Sequence, residues 1–207
     1  MAPPRLALNR PSLPIGREVA RKGLHLAAAV LPVIYALGAP RGALVAILAV
    51  ASALALLIEG ARRTSPEIGR RFDRVFGRLM RPHESRSITG ATWLALSCLV
   101  AVVVLSRGAA IAALWCATVG DPAAALIGRF WSISRATPSY GKAGKTFPGT
   151  LGCALASFAG VWMVAGYHPV LAAVVAVAAA LAEMMPLAID DNVRVAVAAG
   201  TIAQLLA

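Results

Sequence analysis

The chain has 207 residues, of which 59% are hydrophobic and only 14% are charged. About a quarter of the residues are charged in a typical water-soluble domain, so this composition excludes a protein that faces water on all sides and indicates a lipid bilayer as its solvent. The net charge of +11 would suggest nucleic-acid binding in a soluble protein. In a membrane protein it is typical of basic loops, so we expect anionic membrane lipids and no nucleic acid as partners.

Seven apolar runs follow one another along the chain, and we interpret them as membrane-crossing helices. They are residues 23–38, 42–59, 90–105, 109–128, 150–165, 169–185 and 193–207. Several are shorter than the roughly 20 residues that span a bilayer, which tilting or local thinning of the membrane accommodates; six spans with a re-entrant segment are the alternative. We therefore predict an all-α fold, a polytopic transmembrane helix bundle of about seven spans that forms a single domain over residues 1–207.

The distribution of charge predicts the orientation of the bundle. With the N-terminus in the cytoplasm, the external loops and the C-terminus carry only Arg41 and Arg107, and the other 18 of the 20 Lys and Arg face the cytoplasm. This asymmetry fits the positive-inside rule. The nine acidic residues fall on the same side. The positive-inside rule does not explain this, whereas a polar site on the cytoplasmic face does. We expect an integral protein of a bacterial-type cytoplasmic (inner) membrane, with its N-terminus and active site cytoplasmic.

Four polar side chains share one helix face at the start of the first run. In GREVARKGLHL, residues 16–26, Glu18, Arg21, Lys22 and His25 stand at positions i, i+3, i+4 and i+7. Charges that reach to the interface, with Glu18 paired to Lys22, would be a structural explanation. A histidine at that depth beside two cations favours a role facing an anion.

Residues 64–83, TSPEIGRRFDRVFGRLMRPH, predict an amphipathic helix in the cytoplasmic interface. Ser65 suits the N-cap and Pro66 the first helical position. Apolar residues recur at helical spacing on one face, and five arginines fill most of the other: Arg70, Arg71, Arg74, Arg78 and Arg81. This helix is either a membrane anchor or a platform that positions lipid headgroups.

A single acidic residue interrupts the fourth apolar run. Asp121, in ATVGDPAAALIGRF, lies between Gly120 and Pro122, about 12 Å from the cytoplasmic end of the run if it is helical throughout. A carboxylate at that depth is costly and indicates a functional site. Because Gly120 and Pro122 loosen a helix, we expect an unwound segment that lines a cavity. Carboxylate oxygens suit Mg²⁺.

The segment YGKAGKTFPGT, residues 140–150, ends like a nucleotide-binding P-loop but lacks its first glycine, since Ser139 stands there. Lys142, Lys145, Thr146 and Gly149 precede or open the fifth run, where a helix N-terminus favours phosphate. A phosphate cradle is the functional interpretation; a flexible basic loop is the alternative.

The last acidic group lies in AEMMPLAIDDNVRV, residues 182–195. Glu183 is within the sixth run, and Asp190 and Asp191 follow at its cytoplasmic exit. A helix cap would explain Asp191 or Asn192, but not Glu183 as well. Clustered acids that face a lysine loop suit a metal-bound nucleotide.

These motifs occur in an order that resembles the polytopic lipid-kinase and cytidylyltransferase superfamily, which includes dolichol kinase, phytol kinase, CTP-dependent diacylglycerol kinase and CDP-diacylglycerol synthase. The match rests on the acidic–Arg-Lys–His start, HE…ITGAT (which alone indicates only a capped helix start), GDPAAALIGR, GKTFPGT and E…IDDN. It covers about residues 16–200. The HGG…DR.D signature of CDP-diacylglycerol synthases is missing, and PLAIDDN looks like the phytol and dolichol kinase end.

The resemblance implies transfer of a phosphoryl group from CTP, or less readily ATP, to a lipid alcohol such as a phytol-like or polyprenol isoprenoid or diacylglycerol. It implies Mg²⁺ on Asp121, helped by Asp190 or Asp191. Phosphates would be bound by residues that directly precede the first and fifth runs: Arg21, Lys22, Lys142, Lys145, Thr146 and Gly149. His25 would face the developing charge, and Glu183 is a candidate base for the lipid hydroxyl.

Three alternatives stay open at this point. A phosphatidate cytidylyltransferase would use the same lysines and acids. A small ion- or proton-coupled transporter would use Asp121 and Glu183 as a relay, but it does not need the lysine loop. A non-enzymatic membrane interaction protein would need neither the lysine loop nor the acidic residues. A homo-oligomer is possible.

Overall fold

The computed structural model describes residues 15–85, 87–134, 145–187 and 189–206. These residues form helices joined by turns, with no sheet among them. The α-helices are α1 Ile15–Ala27, α2 Val30–Ala36, α3 Arg41–Thr64, α4 Pro66–Phe76, α5 Gly90–Val104, α6 Arg107–Trp115, α7 Asp121–Ser134, α8 Phe147–Met163, α9 Pro169–Met184 and α10 Asp191–Leu206. The predicted all-α fold is therefore confirmed.

Each predicted apolar run corresponds to one helix or to one nearly continuous pair of helices. Three segments are long and apolar enough to cross a membrane: Gly16–Ala36, Arg41–Thr64 and Arg107–Trp131. Shorter apolar helices cover Gly90–Val104, Phe147–Met163 and Pro169–Met184. The structure thus supports a membrane protein with several apolar helices, while the number of seven spans stays a prediction.

The α6 helix lies at the centre of the bundle. Its residues 109–114 are all buried, and it packs against α2, α5, α8 and α10. Close packing depends on small residues: a Cβ on Gly160 of α8 would come within 1.9 Å of the Trp115 indole nitrogen. That indole donates instead to the carbonyl of Ala156 at 3.0 Å. These contacts hold the fourth run against α8 at Trp115.

The amphipathic helix is shorter than predicted. It begins as expected, since the Ser65 hydroxyl accepts a hydrogen bond from the Ile68 amide at 3.5 Å, but α4 ends at Phe76 instead of His83. Gly77 is a poor helix former, and the residue before Pro82 is driven away from helical geometry. Arg78 and Arg81 therefore lie beyond the helix, and the predicted five-arginine face is wrong.

Candidate active site

Lys22 and Asp121 form a buried ion pair that joins α1 to α7. Their side chains are 0% and 1% exposed. His25 lies on the same side, with Nδ1 4.0 Å from Oδ2 of Asp121 and without a hydrogen bond to any described residue. Glu18 accepts from Arg21 at 2.6 Å, so it does not pair with Lys22. The polar face of α1 thus meets a carboxylate 99 residues away in the sequence.

A π-helical turn, Cys116–Gly120, places Asp121 at the start of α7. The Asp121 amide donates to the carbonyl of Cys116, five residues back. Pro122 has no amide hydrogen to donate to the carbonyl four residues before it. Because the regular α-helical hydrogen bonds cannot continue there, the helix widens into a π-turn. The expected unwound segment is therefore wrong: the chain stays helical there, as a π-turn. Such turns are frequent at functional sites.

Arg81 connects the Lys22–Asp121 pair to the last acidic motif. Its Nη2 lies 3.4 Å from Oδ2 of Asp191. Burial lowers the pKa of Arg81, but four nearby carboxylates outweigh this effect and raise it. They are Asp191, Asp121, Glu84 and Glu18. It therefore remains a cation at the meeting point of three separate chain segments. Sequence reasoning missed this role because it counted Arg81 as one of five arginines on a helix face.

A second group of polar contacts surrounds Gly90. The Glu84 carboxylate accepts from the Gly90 amide at 3.0 Å, and the Asn192 amide group donates to the Gly90 carbonyl at 3.3 Å and to Asp190 at 2.8 Å. A Cβ on Gly90 would lie 3.3 Å from Glu84 Oε1 and 3.8 Å from Asp190 Oδ2. The missing side chain therefore lets the carboxylates of Glu84 and Asp190 lie close to the backbone of α5.

Asp190 and Asn192 carry signs of an unsatisfied site. Burial and the neighbouring Asp191 charge raise the pKa of Asp190 to about 6, against hydrogen bonds from Asn192. The Asn192 side chain is 1% exposed, and its Oδ1 has no hydrogen-bond partner among the described residues. Buried polar atoms are nearly always paired, so this oxygen is open to a water, an ion or a ligand.

Lys145 and Glu183 form a further ion pair, between the start of α8 and the end of α9. Glu183 is buried, whereas Lys145 is partly exposed. The Thr146 hydroxyl caps α8 by accepting from the Gly149 amide at 3.3 Å. Gly149 itself packs against α7, where a Cβ would come within 2.7 Å of the Ala124 carbonyl oxygen. Thr146 and Gly149 thus build the helix start that carries Lys145.

The contacts and charge interactions bring ten charged side chains from six segments into one place, called here the charged cluster. They are Glu18, Arg21, Lys22, Arg81, Glu84, Asp121, Lys145, Glu183, Asp190 and Asp191. The structure therefore assembles most of the site residues named from the sequence. His25 adjoins the cluster at Asp121, Thr146 and Gly149 build the helix start beside Lys145, and Lys142 lies outside the described residues.

Among the described residues, the charged cluster contains six carboxylates and four cations. No three His, Cys, Asp or Glu residues in that part of the chain gather closely enough to enclose a metal. However, Mg²⁺ is usually held by one or two carboxylates with water and substrate phosphates. Asp190 and the Asn192 oxygen fit that donor set, with Asp191, which Arg81 contacts at 3.4 Å, as a second carboxylate; Asp121 is engaged more closely, by Lys22.

Glu59 and Arg62, near the end of α3, hold the segment that contains Glu84. Arg62 donates to the carbonyls of Glu84 and Ser87 at 2.9 and 2.6 Å and to the Glu59 carboxylate at 2.8 Å. Glu59 in turn accepts from the Thr89 amide at 2.8 Å. This pair was missed from the sequence. The signal was present, because Glu59 is an acid at the end of an apolar run, as Asp121 is within one.

Comparison with protein-family models, curated proteins and solved structures finds no match.

Proposed function

We propose that this chain is an integral membrane kinase that transfers the terminal phosphoryl group of CTP, or of ATP, to a lipid alcohol with Mg²⁺. The observation that carries the proposal is the charged cluster itself. Lys22, Lys145 and Arg81, which suit phosphate, are buried or half-buried beside carboxylates among otherwise apolar helices. Catalysis of phosphoryl transfer consists mostly of positioning and of neutralising charge, and the cluster supplies both.

The ion pairs of the cluster explain how a nucleotide would enter. Lys22 and Lys145 are each neutralised by a carboxylate, Asp121 and Glu183. A polyphosphate carries several negative charges, so it competes for these lysines and releases the carboxylates. Lys145 is the more exposed lysine, and it therefore meets the nucleotide first. Lys142, from the same motif, is assigned here to the phosphates.

Once Lys145 binds the nucleotide, the released Glu183 carboxylate is available to the lipid alcohol. In the transfer step, the lipid hydroxyl oxygen forms a bond to the terminal phosphorus, the bond from that phosphorus to the bridging oxygen breaks, and CDP or ADP leaves. Glu183 takes the hydroxyl proton as general base. His25 and Arg21 face the phosphate charge from α1. Mg²⁺ held by Asp190 and Asp191, with Asp121 once Lys22 is displaced, would neutralise charge on the phosphoryl oxygens.

The membrane arrangement belongs to the same proposal. Seven spans place the charged cluster at the cytoplasmic side of a bacterial-type inner membrane, with the α4 helix in its anionic surface. Reporter fusions at residues 75 and 140 are expected to read cytoplasmic, and one at residue 207 external. A cytoplasmic C-terminus would replace the seven-span arrangement with one that includes a re-entrant segment.

The test uses membranes that contain the protein, nucleotide labelled in a defined position, and phytol, polyprenol and diacylglycerol as acceptors. Label from the γ-position of CTP or ATP is expected in a lipid phosphate, and EDTA is expected to prevent it. Lys145→Ala is expected to raise the KM for nucleotide about tenfold, because it removes one charge-assisted contact to phosphate. Label from the α-position in lipid, with pyrophosphate released, would support the cytidylyltransferase alternative. Transfer of neither label would contradict both.

A further inference from the structure

The α4 helix connects a candidate membrane span to the segment that carries Glu84. One residue separates it from α3, whose range Arg41–Thr64 is long and apolar enough to cross a membrane. Residues 77–81 then lead from α4 into the short helical turn Pro82–Ser85. Because α4 begins directly after a membrane span ends, it lies at the level of the lipid headgroups.

The exposed surface of α4 has an apolar side and a basic side. Three large apolar residues are exposed on the first side: Ile68, Val75 and Phe76. Helical spacing places three exposed arginines on the second side: Arg70, Arg71 and Arg74. An apolar strip beside arginines is typical of a helix that lies in a membrane interface. The surface that complements it has hydrocarbon below a layer of negative charge, which an anionic bilayer provides.

The arginines of α4 are free to bind such a surface. Arg70 and Arg74 have no ion-pair partner within the described residues. Arg71 pairs with Glu67 at 2.6 Å, but both side chains are exposed, and exposed ion pairs contribute little to stability. Lipid phosphates can therefore bind all three arginines at little cost.

The α4 helix also packs directly on Arg62 of α3. The Arg62 guanidinium lies over the Phe72 ring, 5.3 Å from its centroid, a favourable contact for a cation. A Cβ on Gly69 would come within 2.9 Å of the Arg62 carbonyl oxygen, so the two helices are in close contact. The same guanidinium donates to the carbonyls of Glu84 and Ser87. One buried side chain thus links α4 to the Glu84 segment.

Glu84 extends this link into the charged cluster. Its carboxylate accepts from the Gly90 amide at 3.0 Å and from the Arg81 amide at 2.8 Å. Arg81 in turn contacts Asp191. The chain itself makes a second connection, because residues 77–81 join α4 to Glu84. A shift of α4 therefore acts on Arg81 and Glu84 by two routes.

We propose that α4 binds anionic phospholipid headgroups at the bilayer surface, and that this contact holds the Glu84 segment in place through Phe72 and Arg62. The inference rests on the membrane arrangement of the proposed function, and it adds a lipid that acts on the site without being the acceptor. In a neutral bilayer the α4 arginines lose their attraction to the surface, and the Glu84 segment becomes less ordered.

The first experiment locates the two sides of α4 in nanodiscs that contain phosphatidylglycerol. The three cysteines of the chain are buried, so an exposed introduced cysteine is expected to react first with a fluorophore. A fluorophore on Val75→Cys is expected to be quenched by spin-labelled lipid. One on Asp73→Cys, the matched control on the basic side, is expected to be quenched by acrylamide in the water. Equal quenching of the two positions by either quencher would overturn the inference.

The second experiment measures hydrogen exchange of the Gly90 amide in nanodiscs of phosphatidylcholine, with and without phosphatidylglycerol. Phosphatidylglycerol is expected to slow this exchange about fivefold, the effect of one cation near an anionic surface. The Ser106 amide, which donates to Gln204, is the control and is expected not to respond. Replacement of Arg70, Arg71 and Arg74 together by Gln is expected to abolish the response, and replacement by Lys to keep it. Equal responses of the wild type and the Gln variant would overturn the inference.

Two further measurements test the route and the source of the negative charge. Phe72→Leu keeps an apolar side chain but removes the ring beneath Arg62, so the Val75→Cys fluorophore is expected to stay in the bilayer while Gly90 exchange no longer responds. Inorganic phosphate added to neutral nanodiscs is expected to have no effect. A full response in Phe72→Leu, or slowing by phosphate equal to that by phosphatidylglycerol, would overturn the inference. These readouts need no nucleotide, so they separate its failure from failure of the proposed kinase.

Discussion

The two ends of the helix bundle use basic residues in different ways. At the end that holds the α2–α3 and α5–α6 connections, Arg41 donates to the carbonyl of Val103, and Arg107 donates to the carbonyls of Tyr35 and Ala39 at 2.8 Å each. Both arginines are exposed and pair with helix ends. At the opposite end, lysines and arginines are paired with carboxylates that the bundle buries.

The difference shows which charges need a functional explanation. A cation beside the last carbonyls of a helix is favourable by itself. A buried ion pair is different, because the loss of hydration can exceed the attraction between the charges. Lys22 and Asp121 are therefore not explained by stability, whereas Arg107 is. Substitutions at the two ends should consequently separate activity from stability.

The largest effect is expected from Asp121. Asp121→Asn keeps the size of the side chain but leaves Lys22 buried without its counter-ion, and it removes a charge from the charged cluster. We expect kcat to fall about a thousandfold and stability to fall by about 3–5 kcal/mol, measured as turnover of labelled nucleotide and as thermal unfolding in detergent.

A double variant distinguishes the two contributions. Lys22→Met with Asp121→Asn removes both charges, so most of the lost stability is expected to return while turnover stays absent. The exposed Asp73 of α4 provides the control, and Asp73→Asn is expected to resemble the wild type. Recovery of turnover in the double variant would mean that the pair is structural.

The next effect concerns the Lys145–Glu183 pair. Glu183→Gln is expected to lower kcat by about a hundredfold or more, because it removes the proposed general base, with little change in the KM for nucleotide. Lys145→Ala is expected to act mainly on that KM. Steady-state kinetics of both variants check this division. Equal effects on kcat and KM in both would indicate that the pair only holds α8 to α9.

Apolar runs predicted the helices because a long stretch of apolar residues has few other stable structures in a membrane. The prediction of a helix beyond Phe76 was wrong because the arginines keep helical spacing past Gly77, whereas the helical backbone ends at Phe76. Residues at the site were found where a charge stood alone in an apolar run, as Asp121 does. The pairing of Lys22 with Asp121 could not be predicted, since it depends on how helices 99 residues apart pack together.

A smaller effect is expected from the brace at the end of α3. Arg62→Lys keeps the charge but loses the planar fork that reaches the carbonyls of Glu84 and Ser87. We expect kcat to fall about tenfold and the Thr89 amide to exchange faster with solvent, since the loss of one or two hydrogen bonds to a charged group is worth about 1.5–3 kcal/mol. Arg63→Lys is the matched control on the exposed side. Slower turnover without faster exchange would contradict a positioning role.

The smallest effect on activity is expected at the opposite end. Arg107→Ala removes hydrogen bonds to Tyr35 and Ala39 and the contact of the guanidinium with the Tyr35 ring, 4.7 Å from its centroid. These contacts are partly solvated, so the expected loss is about 1–2 kcal/mol of stability, seen as a lower Tm. The kcat and both KM values should stay within twofold of wild type. If Arg107→Ala reduced kcat as strongly as Glu183→Gln does, charge at the two ends would serve the same purpose, and the charged cluster would lose its claim to be the active site.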